Sequence, residues 1–238
     1  MSIRYLVIRA SLTALFALHG ATLQAASLQI APVLVEVPTP AATATLKLRN
    51  DGTKPLDAQI RIFQWTQVDG ADVLTPTNHV VASPPVASLR PSTDYTVRVV
   101  RTNKEPVAKE EAYRLLIDEL PGPATGRGAS VSIAVRYSIP VFFTVPGAPP
   151  NLSWELQQRA NKPVIVASNA GDRRIRLAKL KVTDGKGGVA NFGEGLAGYV
   201  LSHSSVNFSV PASAKGFGAG GLALISAQSD SGPIDARP

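Results

Sequence analysis

The sequence predicts an all-β fold arranged as two β-sandwich domains. From about residue 27 onward, strand-length segments with alternating apolar and polar residues follow one another along the chain. Turn residues separate these segments at intervals of about 8–12 residues, a spacing typical of immunoglobulin-like sandwiches. Gly and Pro number 19 each among the 238 residues, which suits many short strands joined by turns.

The composition narrows the class of protein further. Hydrophobic residues make up 45% of the chain, enough for a packed core. The chain has no cysteine, which excludes a disulfide framework, a thiolate metal site and a cysteine nucleophile. Lys and Arg total 24 against 17 Asp and Glu, but the basic residues are scattered and not interleaved with aromatic residues. We therefore expect no binding to nucleic acid.

Residues 1–26 have the pattern of a signal peptide. Arg4 and Arg9 precede or flank a short apolar run at Ala10–Leu18, and small residues follow at Ala21–Ala26. The run is shorter than the ~20 residues that a membrane-spanning helix needs, although an N-terminal anchor is the alternative. No second run of spanning length follows. The mature chain is thus expected in the bacterial periplasm, without an integral membrane segment.

The first domain is predicted over residues 27–146. Alternating apolar residues at Leu46–Arg49, Ala58–Ile62 and Tyr95–Val99 indicate strands, with turns at Asn50–Gly52 and Asp69–Gly70. Propensity alone favours a helix over residues 107–120, which are rich in helix formers. Because the apolar residues of its second half alternate and the neighbouring segments are strands, we predict a strand there.

The stretch Ser130–Pro146 carries the longest alternation in the chain. Pro140 cannot donate a hydrogen bond to a neighbouring strand, so the strand is expected at a sheet edge or a bulge at that point. A long apolar edge favours aggregation, which proteins usually prevent. The apolar residues either fill the core of their own domain or serve a partner. One face of this strand is formed by Val131, Ile133, Val135, Tyr137, Ile139, Val141 and Phe143.

A second domain is predicted over residues 147–238. The segment Pro146–Pro150 has the composition of a stiff, short linker, and a second alternating series begins at Leu152. This series again indicates a β-sandwich. The polar tail from Gln228 onward is expected to be frayed.

The sequence offers little catalytic chemistry. His79 and His203 have no neighbours at ligand spacing, so no metal site is expected. Ser204 and Ser205 lie beside His203 but outside any nucleophile-elbow motif. The glycine-rich run Gly216–Gly221 lacks the Lys and Ser/Thr of a phosphate-binding loop and is interpreted as a hairpin connection. We expect no enzyme and no cofactor.

Several motifs, taken together and in this order, resemble one family. These are Leu48–Gly52, Ser83–Val86, Leu89–Pro91, Val97–Val99, Ala112–Leu115, Glu119–Pro121 and Ile133–Pro146. The combination resembles the periplasmic chaperones of the chaperone–usher pathway, which assemble bacterial fimbriae. The strand containing Pro140 is more similar to the archaic (alternative) branch than to the branches of type 1 and P pili. Beyond residue 146 the resemblance is limited to length and β character.

The resemblance implies two immunoglobulin-like domains at an angle with a cleft between them, and it implies donor-strand complementation. In that mechanism the chaperone lends a strand to an incomplete pilin subunit and delivers the subunit to an outer-membrane usher. Without a subunit, the donor edge also permits self-association. By position, the donor residues are Val131, Ile133, Val135, Tyr137 and Ile139. An exported adhesion or carbohydrate-binding module is the alternative function.

The sequence departs from the family at the carboxylate anchor. Better-known members hold the subunit's C-terminal carboxylate with an Arg on the first strand and a Lys on the donor strand. Here the first-strand region Ala31–Leu34 has no Arg, and Pro140 stands at the Lys position. Arg136 and Arg98 are the candidate replacements. Asn50 and Tyr113 also match family positions, where they are equally interpreted as a turn residue and a half-buried strand tyrosine.

Overall fold

A computed structural model describes residues 28–120, 134–218 and 221–237, and every regular element in these ranges is a β-strand. The predicted signal peptide and the candidate donor residues Val131 and Ile133 lie outside the described residues. The strands are β1 Leu28–Ala31, β2 Val35–Pro38, β3 Thr43–Asn50, β4 Leu56–Val68, β5 Ala71–Pro76, β6 Val80–Ser83, β7 Val86–Leu89, β8 Asp94–Arg101, β9 Glu111–Leu120, β10 Arg136–Thr144, β11 Leu152–Arg159, β12 Lys162–Asn169, β13 Ile175–Asp184, β14 Val189–Asn191, β15 Leu196–Val200, β16 Ser204–Ser209, β17 Leu222–Ser229 and β18 Gly232–Ala236.

The first ten strands form two sheets that enclose one hydrophobic core. Sheet 1 has the order β1-β3-β8-β6, and sheet 2 has the order β2-β10-β9-β4-β5, with β7 also paired to β4. Leu46 and Leu48 of sheet 1 pack with Ile60, Leu115 and Ile117 of sheet 2, and all five are buried. The alternation that predicted these strands places one residue in two on this inner face.

The last eight strands form a second sandwich. Sheet 3 has the order β11-β12-β16, and sheet 4 has the order β14-β13-β17-β18, with β15 also paired to β13. Their core includes Ile165, Leu177, Val182 and Ile225. Among the described residues, no strand pairing joins the first ten strands to the last eight. The predicted all-β fold is confirmed.

The structure decides between alternatives for one segment and corrects the prediction for another. Residues 111–120 form strand β9, as the alternation predicted, although their helix propensity is high. The prediction of a frayed tail from Gln228 was wrong, because β18 pairs with β17 and Ile234 packs against the second core. Asp230 and Ser231 form the turn between the two strands, and Gly232 after it has a φ of +114°, which glycine adopts without strain.

Each domain contains the same asparagine turn at the end of one strand. Asn50 closes β3 and Asn169 closes β12. Each side-chain oxygen accepts a hydrogen bond from the glycine amide two residues later, and each amide nitrogen donates to the carbonyl four residues later. Each amide nitrogen also donates to a second, distant carbonyl. Because both asparagines are buried, these bonds satisfy polar groups that water cannot reach.

The outer face of sheet 2 carries the contact between the two domains. Trp65 and Phe142 of the first domain pack against Tyr199 and Leu201 of the second, and all four are buried. The ring centroids of Trp65 and Tyr199 lie 5.5 Å apart in an edge-to-face arrangement. The Gln67 amide donates to Tyr199 O at 2.8 Å and accepts from Leu201 N at 2.9 Å, so it pairs with the second domain as a backbone amide would.

Candidate functional site: an unpaired strand edge

Strand β10 is paired on both sides at its C-terminal end only. Its pairing with β9 extends from Arg136 to Phe143, whereas its parallel pairing with β2 covers Val141 to Thr144. Within the described residues, no strand pairs with the outer side of Arg136–Ile139. The prediction from Pro140 that this strand lies at an edge is confirmed.

The direction of the backbone groups shows what this edge offers. Val135 O accepts a hydrogen bond from Glu119 N, so the backbone groups of Val135 point toward β9. Backbone groups alternate in direction along a strand, so those of Arg136, Ser138 and Pro140 point away from β9. The edge therefore presents the N–H and carbonyl groups of Arg136 and Ser138. Pro140 has no N–H, and the pairing of Val141 with Val35 engages its carbonyl.

The side chains on the inner face of β10 change from fully to partly buried toward the N-terminal end of the strand. Ile139 is 5% exposed and belongs to the core of its own domain. Tyr137 is half-buried, packs against that core, and its hydroxyl donates to Leu28 O at 2.8 Å. Val135 is also half-buried. Of the predicted donor set, the structure thus describes Val135, Tyr137 and Ile139, on one face of the strand.

The two arginines predicted as carboxylate anchors lie in different sheets. Arg136 is exposed on the outer face of β10, where its guanidinium hydrogen-bonds to Asp118 of β9. Arg61 of β4 reaches the same carboxylate at 2.5 Å. Burial opposes ionisation of Asp118, but the hydrogen bonds and charges of the two arginines outweigh it, so the pKa of Asp118 lies below its ordinary value. Arg98 is exposed on β8 of sheet 1.

A third arginine, Arg114 of β9, was missed by the sequence reasoning. It is the cross-strand partner of Pro140, and its guanidinium carbon lies 3.7 Å from the centroid of the Trp65 ring. Burial lowers the pKa of Arg114, although a guanidinium stays protonated in proteins. Among the described residues, no carboxylate forms an ion pair with it. The only available signal was the outward position of this Arg between the alternating Tyr113 and Leu115.

The histidine at the domain contact does not form a hydrolase triad within the described residues. His203 Nε2 lies 2.7 Å from Asp172 Oδ1, and both side chains are exposed. The neighbouring hydroxyls are engaged elsewhere: Ser204 donates to Ser202 O, and Ser205 pairs with Ser168. The described part of the chain also contains no group of three or more His, Cys, Asp or Glu that could hold a metal ion. In that same part, no helix has the length and hydrophobicity required to cross a membrane.

Comparison with known proteins identifies the family. Residues 27–149 match the family described as pili and flagellar-assembly chaperone, PapD N-terminal domain. This match covers the ten strands that surround the unpaired edge. No curated protein sequence gives a match.

Solved structures support the same assignment. The chain is similar to the chaperone–tip adhesin subunit pre-assembly complex CsuC–CsuE from the archaic chaperone–usher Csu pili of Acinetobacter baumannii. The identity is 26%, the TM-score is 0.71, and the match covers 88% of this chain and 98% of that one. The SafA pilin–SafB chaperone complex of Salmonella enterica matches 90% of this chain and 98% of that one, at 18% identity and a TM-score of 0.62. The Escherichia coli chaperone DraB matches 89% of this chain and 98% of that one, at 22% identity and a TM-score of 0.58.

The similarity to the SafA–SafB complex and to DraB shows the fold alone. That fold consists of two immunoglobulin-like sandwiches, as predicted. The Csu match agrees with the predicted archaic branch. Members of this family act in the periplasm, which agrees with the predicted location. The chain, with its incomplete sheet edge at β10, belongs to the family of pili and flagellar-assembly chaperones.

Proposed function

We propose that the protein binds pilin subunits by donor-strand complementation and delivers them to an outer-membrane usher for fimbria assembly, without enzymatic chemistry. The observation that carries this proposal is the unpaired edge of Arg136–Ile139 on β10. A pilin that lacks its last strand exposes an apolar groove and unpaired backbone groups, both unfavourable in water. The edge supplies the missing backbone partners.

The alternating side chains supply the apolar contribution. Ile139 and Tyr137 already pack against their own domain, so they hold the strand in place. The residues for the subunit groove are then Val135, which is half-buried, and by the same alternation Ile133 and Val131. Each aliphatic side chain buried in the groove contributes about 1.5–3 kcal/mol, and each backbone hydrogen bond about 1 kcal/mol. These contributions allow stable binding without nucleotide hydrolysis.

Arg114 is the residue best placed to bind the subunit's terminal carboxylate. It lies across from Pro140, where the unpaired edge ends. No carboxylate among the described residues makes a close ion pair with it, although the charge of Asp72 acts on it from a greater distance. Arg136 already shares Asp118 with Arg61, and Arg98 lies on the other sheet. A partly buried guanidinium binds a carboxylate through charge-assisted, often bidentate, hydrogen bonds.

The substitution Ser138→Pro tests the proposal at the edge itself. It removes one outward N–H and places a ring in the path of an incoming strand, while the hydrogen bonds to β9 remain. Loss of one backbone hydrogen bond weakens binding by about fivefold, and the ring weakens it further. The matched control Ser138→Ala keeps the N–H.

Each variant is co-expressed with the pilin subunits encoded beside the chaperone gene, and the amount co-purified is measured. Circular dichroism checks that both variants are folded. Equal recovery of pilin by folded Ser138→Pro and Ser138→Ala would show that β10 does not lend this edge.

A further inference from the structure

The cluster around Arg174 links the second domain to the donor strand. Arg174 lies in the loop before β13, and its side chain is 1% exposed. Its guanidinium carbon sits 3.6 Å from the centroid of the Phe142 ring, on β10. It also donates to Glu36 of β2 and, at 2.6 Å, to Glu110 just before β9. A single side chain from the second domain thus contacts β2, β10 and the residue that precedes β9, and these three strands are neighbours in sheet 2.

The backbone reinforces this contact. Arg174 N donates to Glu110 Oε1 at 2.9 Å, and Glu110 N donates to Asp172 O at 3.0 Å. Burial raises the pKa of Glu110, while the hydrogen bonds and charge of Arg174 act in the opposite direction. Arg173, by contrast, is 36% exposed, and its one ion pair among the described residues is with Glu36 at 3.5 Å.

The position of Phe142 explains why such a contact matters for β10. The parallel pairing of β10 with β2 covers only four residues, against eight for its pairing with β9, so the ladder alone holds β10 weakly on the β2 side. A slip by one residue would turn Phe142 into the core and Phe143 out toward the second domain. In the observed register Phe142 is fully buried beneath Arg174, and Phe143 is fully buried in the core. A slip would have to withdraw Phe142 from that contact.

We infer that Arg174 is a positioning residue that holds the donor strand in register against β2, so that the unpaired edge ends at Pro140. The inference rests on the proposed function for its consequence in subunit binding. A preorganised edge loses less conformational freedom when a subunit pairs with it, so fixing β10 speeds capture.

The test uses the full mature chain carrying Arg174→Met together with Glu110→Gln. The double substitution avoids leaving the buried Glu110 carboxylate without a partner, which would destabilise the fold on its own. Arg173→Met is the matched control. Amide hydrogen exchange is read by NMR at Phe142 and Thr144, whose N–H groups face β2, and at Ile165 and Ala167 of β12 as a distant reference.

The inference predicts that exchange at Phe142 and Thr144 in the double variant rises about tenfold or more, with the β12 reference and the Arg173→Met control unchanged. It also predicts slower association with pilin subunits encoded beside the chaperone gene. An equal rise at all sites, no rise at all, or unchanged association despite faster exchange would overturn it.

If the wild-type chain binds no pilin, the proposed function is wrong, and the exchange data still decide the role of Arg174. If the double variant does not fold, Arg174→Lys takes its place. Lysine keeps the charge but lacks the planar group that stacks on Phe142 and reaches two carboxylates. Exchange at Phe142 is again expected to rise, and wild-type exchange there would refute the inference.

Discussion

The tip of the β4–β5 hairpin provides a measurable contribution of the domain contact to stability. Asp69 and Gly70 form its turn with φ values of +54° and +80°. Gly70 O accepts from Asn207 N at 3.0 Å, and Asp69 O accepts from the Asn207 side-chain amide at 2.8 Å. A Cβ on Gly70 would overlap the Asn207 amide group. The substitution Gly70→Ala therefore strains the turn and also displaces a side chain of the second domain.

The expected magnitude follows from these two effects. A side chain in the left-handed region costs roughly 1–2 kcal/mol. Loss of the Asn207 side-chain hydrogen bond costs about 1 kcal/mol more. The control is Gly187→Ala, because Gly187 has a φ of +82° but open space around its Cβ position. We expect Gly70→Ala to lower the free energy of unfolding by roughly 1 kcal/mol more than Gly187→Ala does.

Urea unfolding of the two variants, followed by tryptophan fluorescence, measures this difference. Both variants should keep the wild-type m-value, since neither changes the surface exposed on unfolding. If the two substitutions cost the same, the hairpin tip contributes nothing through Asn207 and the proposed contact is refuted.

Two further predictions concern charged residues. Arg114→Gln should weaken binding of pilin subunits about tenfold, because it removes a charge-assisted hydrogen bond to the terminal carboxylate of the subunit. Arg98 is solvated, so the control Arg98→Gln should leave the amount of pilin recovered in a pull-down unchanged. Equal effects of the two substitutions would contradict the assignment of Arg114. Burial opposes ionisation of Glu111, but the hydrogen bond and charge of Arg101 outweigh it and lower its pKa. This pair therefore stabilises the fold above the unfolded-state pKa of about 4.3, and the contribution is lost as the pH falls through the lowered folded pKa. Urea unfolding between about pH 3 and pH 6 should show a shallower decline for Glu111→Gln than for the wild type, and identical curves would refute the account.

The strands could be predicted from the sequence because their alternation is local. Apolar residues two apart mark the inner face of β3, β8 and β9 without knowledge of the partner strand. Pro140 similarly indicated an edge, because a missing N–H is a property of one residue. The β18 strand was missed because its alternation is short and follows a polar segment.

The domain contacts could not be predicted, because they join residues far apart in the sequence. Arg174 lies 64 residues from Glu110 and 138 from Glu36, and nothing in its loop distinguishes it from the partly exposed Arg173. Arg136 shows the same limit: the sequence made it a candidate carboxylate anchor, but it could not show that Asp118 already binds it. The role of a charged side chain depends on the groups that it contacts, and these contacts are known only once the fold is known.

The central claim concerns the backbone of Arg136 and Ser138, and amide exchange of these two residues tests it most directly. In the free chaperone both N–H groups face the unpaired edge, so they should exchange rapidly, while Ile139, which faces β9, should be protected. In a purified complex with a pilin subunit, both amides should become protected by at least about tenfold. If a stable complex forms and these two amides still exchange as in the free protein, the subunit is held elsewhere and the account is wrong.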